Sequence, residues 1–172
     1  MSAQAPQHLI FISVGSNINR EQHITAGLDA MYAAFGELTL SSVYESKSVG
    51  FDGNNFYNLV VQASTELSIV EVVEHLKTIE TQNLRTRESK KFAPRTLDLD
   101  LLTYDDVIIQ APMELPRPEI LYNAFVLQPL AEIAPEVEHP LAKKSYFSLW
   151  QQYDKSQQQL WPIKFTWSAN RQ

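Results

Sequence analysis

Two aspartates separated by one leucine stand in the run Pro94-Arg95-Thr96-Leu97-Asp98-Leu99-Asp100-Leu101-Leu102. Leucine at every second position is the period of a strand, which sends Leu97, Leu99 and Leu101 to one face and Asp98 and Asp100 to the other. Two carboxylates about 7 Å apart on one face repel each other unless a cation lies between them. Hard oxygen donors of this kind suit Mg²⁺, which takes one or two carboxylates together with phosphate oxygens. Two such ions, about 3.5–4 Å apart, would clamp both ends of a phosphoryl transfer. The same alternation also describes an ordinary solvated strand face, and the period alone does not choose between them.

The loop before this strand bears on the choice. Arg85, Arg87, Lys90, Lys91 and Arg95 are opposed only by Glu88, a local charge of +4 in a chain whose net charge is −6. Guanidinium groups grip phosphate oxygens in pairs, so a positive loop beside a carboxylate pair fits a metal–polyphosphate complex. The other reading is a solvated or RNA-binding loop. For that the chain is too acidic and Phe92 is the loop's only aromatic residue, so no nucleic-acid partner is expected. The histidines His8, His23, His75 and His139 lack zinc-ligand spacing and read mostly as surface residues. There is no cysteine, which excludes disulfides and thiolate metal sites, and no nucleophile triad stands out.

The elements that would position these groups follow from the pattern around them. Leu9 to Val14 reads as a buried strand entering a turn at Gly15-Ser16-Asn17. Ile24, Leu28, Met31, Tyr32 and Phe35 recur at helical spacing up to a stop at Gly36. Strands are predicted over Leu38–Glu45, with Leu38, Leu40, Ser42 and Tyr44 alternating, and over Asn55–Ala63. Ser68-Ile69-Val70-Glu71 has the form of a capping box opening a helix with Ile69, Val72, Val73, Leu76 and Ile79 on one stripe. The aspartate strand, Thr96 to Thr103, then turns at Tyr104-Asp105-Asp106 into a hairpin partner, Val107 to Ile109. A further helix is expected around Val126 to Ile133. Trp150, Trp161 and Trp167 give the tail enough apolar surface to pack on the domain. The order β-α-β-β-α-β predicts an α+β fold with a ferredoxin-like core, an antiparallel sheet with helices packed on it.

With the motifs in this order the chain resembles the hydroxymethyldihydropterin pyrophosphokinases, over roughly Leu9 to Pro135. Pro-Arg-Thr-Leu-Asp-Leu-Asp is similar to the family signature and Gly15-Ser16-Asn17 to its opening motif. Ser41-Ser42-Val43-Tyr44 and Phe56-Tyr57-Asn58 look like strands flanking its pterin pocket. Phe125 to Leu130 and Glu132 to Pro135 are similar to its C-terminal motif. The resemblance implies ATP-dependent pyrophosphoryl transfer to 6-hydroxymethyl-7,8-dihydropterin in folate biosynthesis. It implies two Mg²⁺ ions on Asp98 and Asp100, with Asp100 also helping to accept the hydroxyl proton. Arg85 and Arg95 would be catalytic, and Glu80, Arg85, Arg87, Arg95 and Arg117 would line the ATP site. Ser46, Val49, Phe56, Asn58, Phe92 and Phe125 would hold the pterin. From residue type alone, Phe56 and Phe125 also suit plain core packing, and Asn58 a strand-edge amide.

The chain departs from the family pattern at several positions. Phe92-Ala93 stands for Trp-Gly, Lys47-Ser48 occurs where prolines are common, Arg117 replaces a histidine and Asn123 an arginine. Arg117 suits a substitute phosphate ligand or, between Pro116 and Pro118, an exposed turn residue. The departures leave room for a divergent paralogue that binds pterin or nucleotide without efficient turnover. Length and composition predict a single domain over 1–172. The polar start predicts no signal peptide and no apolar run is long enough for a membrane span, so a cytoplasmic protein is expected, of open oligomeric state.

Overall fold

The computed structural model describes residues 6–47, 55–84, 97–156 and 158–168. In chain order they form β1 (His8–Ser16), α1 (Arg20–Phe35), β2 (Thr39–Leu40), β3 (Val43–Ser46), β4 (Phe56–Thr65), α2 (Ile69–Leu84), β5 (Asp98–Tyr104), α3 (Glu119–Tyr122), α4 (Ala124–Ile133), α5 (Tyr146–Gln152) and β6 (Leu160–Ile163). The strands pair in the order β5-β1-β4-β3-β6, with β2 also on β4, and the pairings are antiparallel. This is the expected α+β arrangement: α1 links β1 to β2 and β3, and α2 links β4 to β5.

Each sheet face carries its own core. Leu97, Leu99 and Leu101 are buried on one face with Ile24, Leu28 and Met31 of α1 and Val72, Leu76 and Ile79 of α2. Phe11, Val60 and Leu102 are buried on the other with Val126, Leu127 and Leu130 of α4 and Tyr146 of α5. Tyr32 leaves the core stripe and meets Trp167 edge-on at 6.1 Å. The expected helix boundaries are present. Gly36 adopts φ 83° and its amide donates to Tyr32 O, a positive-φ stop. The capping box closes both ways, Ser68 N donating to Glu71 Oε1 at 2.9 Å and Glu71 N to Ser68 Oγ at 3.2 Å.

Four expectations are corrected. Gly15 and Ser16 continue β1 rather than starting a turn, because Gly15 pairs with both Asn58 and Asp98. The strand over Leu38–Glu45 is interrupted at Ser41-Ser42, so Leu40 and Tyr44 face opposite ways. Leu40 is opposite Val61 but Tyr44 is opposite Asn58, a register shift of one residue. Ser41 Oγ holds the break by accepting from Val60 N at 2.9 Å, and Ser42 N donates to Glu132 on α4. Val107–Ile109 does not return along β5. Ile109 instead exchanges two backbone bonds with Leu115, and Leu102 O of β5 accepts from Arg117 N. Finally, His139 is no surface residue: it is 1% exposed, its Nδ1 accepts from Leu141 N and Ala142 N, and burial pushes its pKa down.

The tail packs on the domain as expected. Ile163, Phe165 and Trp167 rest against the first core and Trp150 against the second. Its last element is a strand, β6, on the free edge of β3. Among the described residues no helix is long and apolar enough to cross a membrane.

Candidate active site

On the sheet face of the second core, Asp100 is half exposed, so α4 and α5 leave that part uncovered. Residues directly opposite in an antiparallel pair share a face, so the register shows what the uncovered part carries. Asp98 is opposite Gly15, Gly15 opposite Asn58, and Asn58 opposite Tyr44, one row across four strands. Asp100 is opposite Ser13 in the next row, and Phe56 opposite Ser46 at the other end. Asp98, Asp100, Asn58, Phe56 and Ser46 therefore share one face; alternation alone pairs Asp98 with Asp100 and Phe56 with Asn58, and the register joins the pairs. Leu99 between the aspartates points into the first core, 4% exposed.

Gly15 separates the acidic side of the row from the amide side. With strands about 4.8 Å apart, the backbones of Asp98 and Asn58 are about 10 Å apart. A Cβ on Gly15 would lie 2.8 Å from Asn58 Oδ1, so the glycine leaves a gap that another residue would fill. Its place in this row is set by the register of three strands and not by its neighbours in the chain. Asn58 is 8% exposed, and its Nδ2 donates to Ser46 Oγ at 3.4 Å. Tyr44 ends the row, its hydroxyl donating to Glu132 Oε1 at 2.9 Å; burial and the Glu132 carboxylate push its pKa up.

The opposite wall comes from the chain after β5. A cleft of about 190 Å³ is lined by Ser13, Asp100 and Leu102 on the sheet, Arg117 and Glu119 at α3, and Asn123, Phe125 and Val126 at the start of α4. Phe125 is half-buried, packing against the second core while also lining this cleft. Arg117 Nη2 stands 2.9 Å from Glu119 Oε2 and 3.9 Å from Asp100 Oδ1. Its Nε is buried and has no hydrogen-bond partner among the described residues. Glu80, on α2, accepts from Leu99 N at 2.7 Å, fixing the backbone between the two aspartates. Arg85, Arg87, Phe92, Arg95 and Val49 lie outside the described residues. A larger recess of about 350 Å³, near Phe35, Glu37 and Thr39, lies at the far end of β4 and includes none of these groups.

No three metal-ligating side chains converge among the described residues. A carboxylate pair without a protein cage is nonetheless the donor set Mg²⁺ takes when phosphate oxygens complete its shell, so the residues fit that ion. The basic loop anticipated beside them would suit such phosphates.

Comparison with known proteins places the chain in a family. Residues 11–135 match the family described as 7,8-dihydro-6-hydroxymethylpterin-pyrophosphokinase (HPPK). The chain belongs to the HPPK family. It is 33% identical over 138 residues to the 2-amino-4-hydroxy-6-hydroxymethyldihydropteridine pyrophosphokinase of Aquifex aeolicus, covering 78% of this chain and 86% of that one. To the Bacillus subtilis protein of the same name it is 36% identical over 136 residues, covering 76% and 81%. The Synechocystis counterpart is 35% identical over 166 residues, covering 91% and 80%. The fold agrees. A Plasmodium falciparum HPPK-DHPS triple mutant superposes with a TM-score of 0.69 at 12% identity, over 87% of this chain and 42% of that one. The chain thus spans less than half of that longer protein, and at this identity the likeness shows the fold alone.

Proposed function

We infer that this HPPK-family chain transfers a pyrophosphoryl group from ATP to 6-hydroxymethyl-7,8-dihydropterin, as a step of folate biosynthesis. The family match over 11–135 carries this reading, and the row Asp98–Gly15–Asn58 on one sheet face supports it. In the reaction the pterin alcohol oxygen attacks the β-phosphorus, the bond from that phosphorus to the α,β-bridging oxygen breaks, and AMP leaves with the oxygen. The alcohol proton goes to a nearby base, a role given to Asp100. Positioning and charge neutralisation carry such a step, and no covalent nucleophile is needed.

Asp98 and Asp100 would hold two Mg²⁺ ions, which when bound neutralise the phosphate oxygens in flight. Ser46, Phe56 and Asn58 on the sheet and Phe125 on α4 would bind the pterin from opposite walls, with Val49 and Phe92 contributing from their loops. Arg85, Arg87 and Arg95 would bring the phosphates to the transition state, with Glu80 near the nucleotide. Arg117 would take over from the histidine that it replaces, since it lines the cleft beside Asp100 and keeps one buried, unpaired donor, Nε. The protein would act as one domain in the cytoplasm. No observation favours a divergent binder without turnover.

The test is to incubate the protein with ATP, Mg²⁺ and the pterin alcohol and to separate the nucleotides. AMP should appear in step with the pterin diphosphate. Formation of ADP in place of AMP would overturn the assignment.

A further inference from the structure

The tail beyond the family match reaches into the wall of the cleft. Ala124, the first residue of α4, is fully buried, and Asn123 before it makes no side-chain cap. A buried first-turn amide needs an acceptor from elsewhere. Gln158 supplies it: its Oε1 accepts from Ala124 N at 2.7 Å, and its Nε2 donates to Asn123 Oδ1 at 3.2 Å. Gln158 is itself held from both sides. Tyr153 OH donates to Tyr122 O at 2.8 Å, and two residues beyond Gln158, Leu160 of β6 pairs with Ser46 of β3. Tyr153 and Gln158 thus tie the tail to the α3–α4 corner, which presents Phe125, and Leu160 ties it to the strand that presents Ser46.

We infer that Gln158 is a positioning residue for pterin binding: it fixes the start of α4, and with it Phe125, at a set distance from the pterin-facing strands. This rests on the pyrophosphokinase reading of the site. Gln158 does not touch the substrate, and it acts through Ala124 and Asn123. A glutamate here keeps the acceptor for Ala124 N, and Asn123 can turn its amide to donate to it.

The test compares Q158A, Q158L and Q158E in the full chain. Pterin affinity is read by fluorescence titration, ATP affinity by calorimetry, and the Ala124 and Phe125 amides by hydrogen exchange. Q158A and Q158L should weaken pterin binding about tenfold, the loss of two neutral hydrogen bonds partly offset by water. ATP affinity should hold and exchange at Ala124 should quicken, while Q158E stays near wild type. Unchanged pterin affinity in Q158A, with wild type releasing AMP, overturns the inference alone. So does an equal loss for pterin and ATP, the mark of general loosening. A wild type that neither binds pterin nor releases AMP overturns both the inference and the reading beneath it.

Discussion

Arg117 faces Asp100 across the mouth of the cleft, Nη2 to Oδ1 at 3.9 Å, so a cation already stands beside the carboxylate proposed to hold a metal. At that distance the attraction is about 1 kcal/mol in water and about 4 kcal/mol at an effective dielectric of 20. Asp100 is half exposed, which puts the pair near the lower figure. On the proposed reading, incoming Mg²⁺ and phosphate would therefore exchange this contact for stronger ones at little cost.

Removing either aspartate should abolish Mg²⁺-dependent turnover without unfolding the chain. D98A and D100A are each expected to give no AMP above background with a near-wild-type circular dichroism spectrum. Full activity in either variant would contradict the metal assignment.

Arg117 should contribute to nucleotide binding and not to pterin binding. A charge-assisted guanidinium–phosphate contact is worth about 1.5–3 kcal/mol, or roughly ten- to a hundredfold in affinity. Calorimetric titration of R117A with Mg²⁺-ATP should show that loss. R117H, with the histidine that the family resemblance implies here, should keep part of the affinity and lose it as pH rises through the imidazole range. Wild-type affinity in R117A would make Arg117 a bystander.

Gly15→Ala tests the gap in the site row. Its Cβ would press on Asn58 Oδ1 at 2.8 Å, a contact that forces the buried amide to move. Pterin affinity should fall while ATP affinity changes less, measured on the same protein by the same two titrations. Unchanged pterin binding would remove Asn58 from the pterin wall.

Local chemistry was legible in the sequence wherever a few consecutive residues set it. The leucine alternation placed Asp98 and Asp100 on one face, Ser68 and Glu71 form their reciprocal cap, and Gly36 ends α1. Features fixed by distant partners were not legible. The shift at Ser41-Ser42 depends on Val60 and on Glu132, 90 residues away from Ser42. The tail strand exists because β3 has a free edge, and Gly15 matters because three strands fall into one register. Gln158 gave no sequence signal, since an isolated glutamine in a polar tail reads as solvated until its partners on α4 are known.

The capping box predicts a pH dependence of stability. The backbone and side chain of Ser68 hold the Glu71 carboxyl below its ordinary value of 4.5. A pKa lowered in the folded state means a contribution that is complete above the unfolded value and lost as pH falls through the folded one. The stability difference between wild type and E71Q, from urea midpoints, should therefore be constant at neutral pH and shrink once pH drops below about 4.5. A difference independent of pH through that window would count against the cap.

The most direct test of the account follows the phosphorus atoms. With the pterin alcohol, Mg²⁺ and ATP labelled separately at the α, β and γ positions, the β and γ labels should both appear in the pterin product and the α label in AMP. Transfer of the γ label alone, with ADP as the second product, would contradict pyrophosphoryl transfer and with it the proposed function.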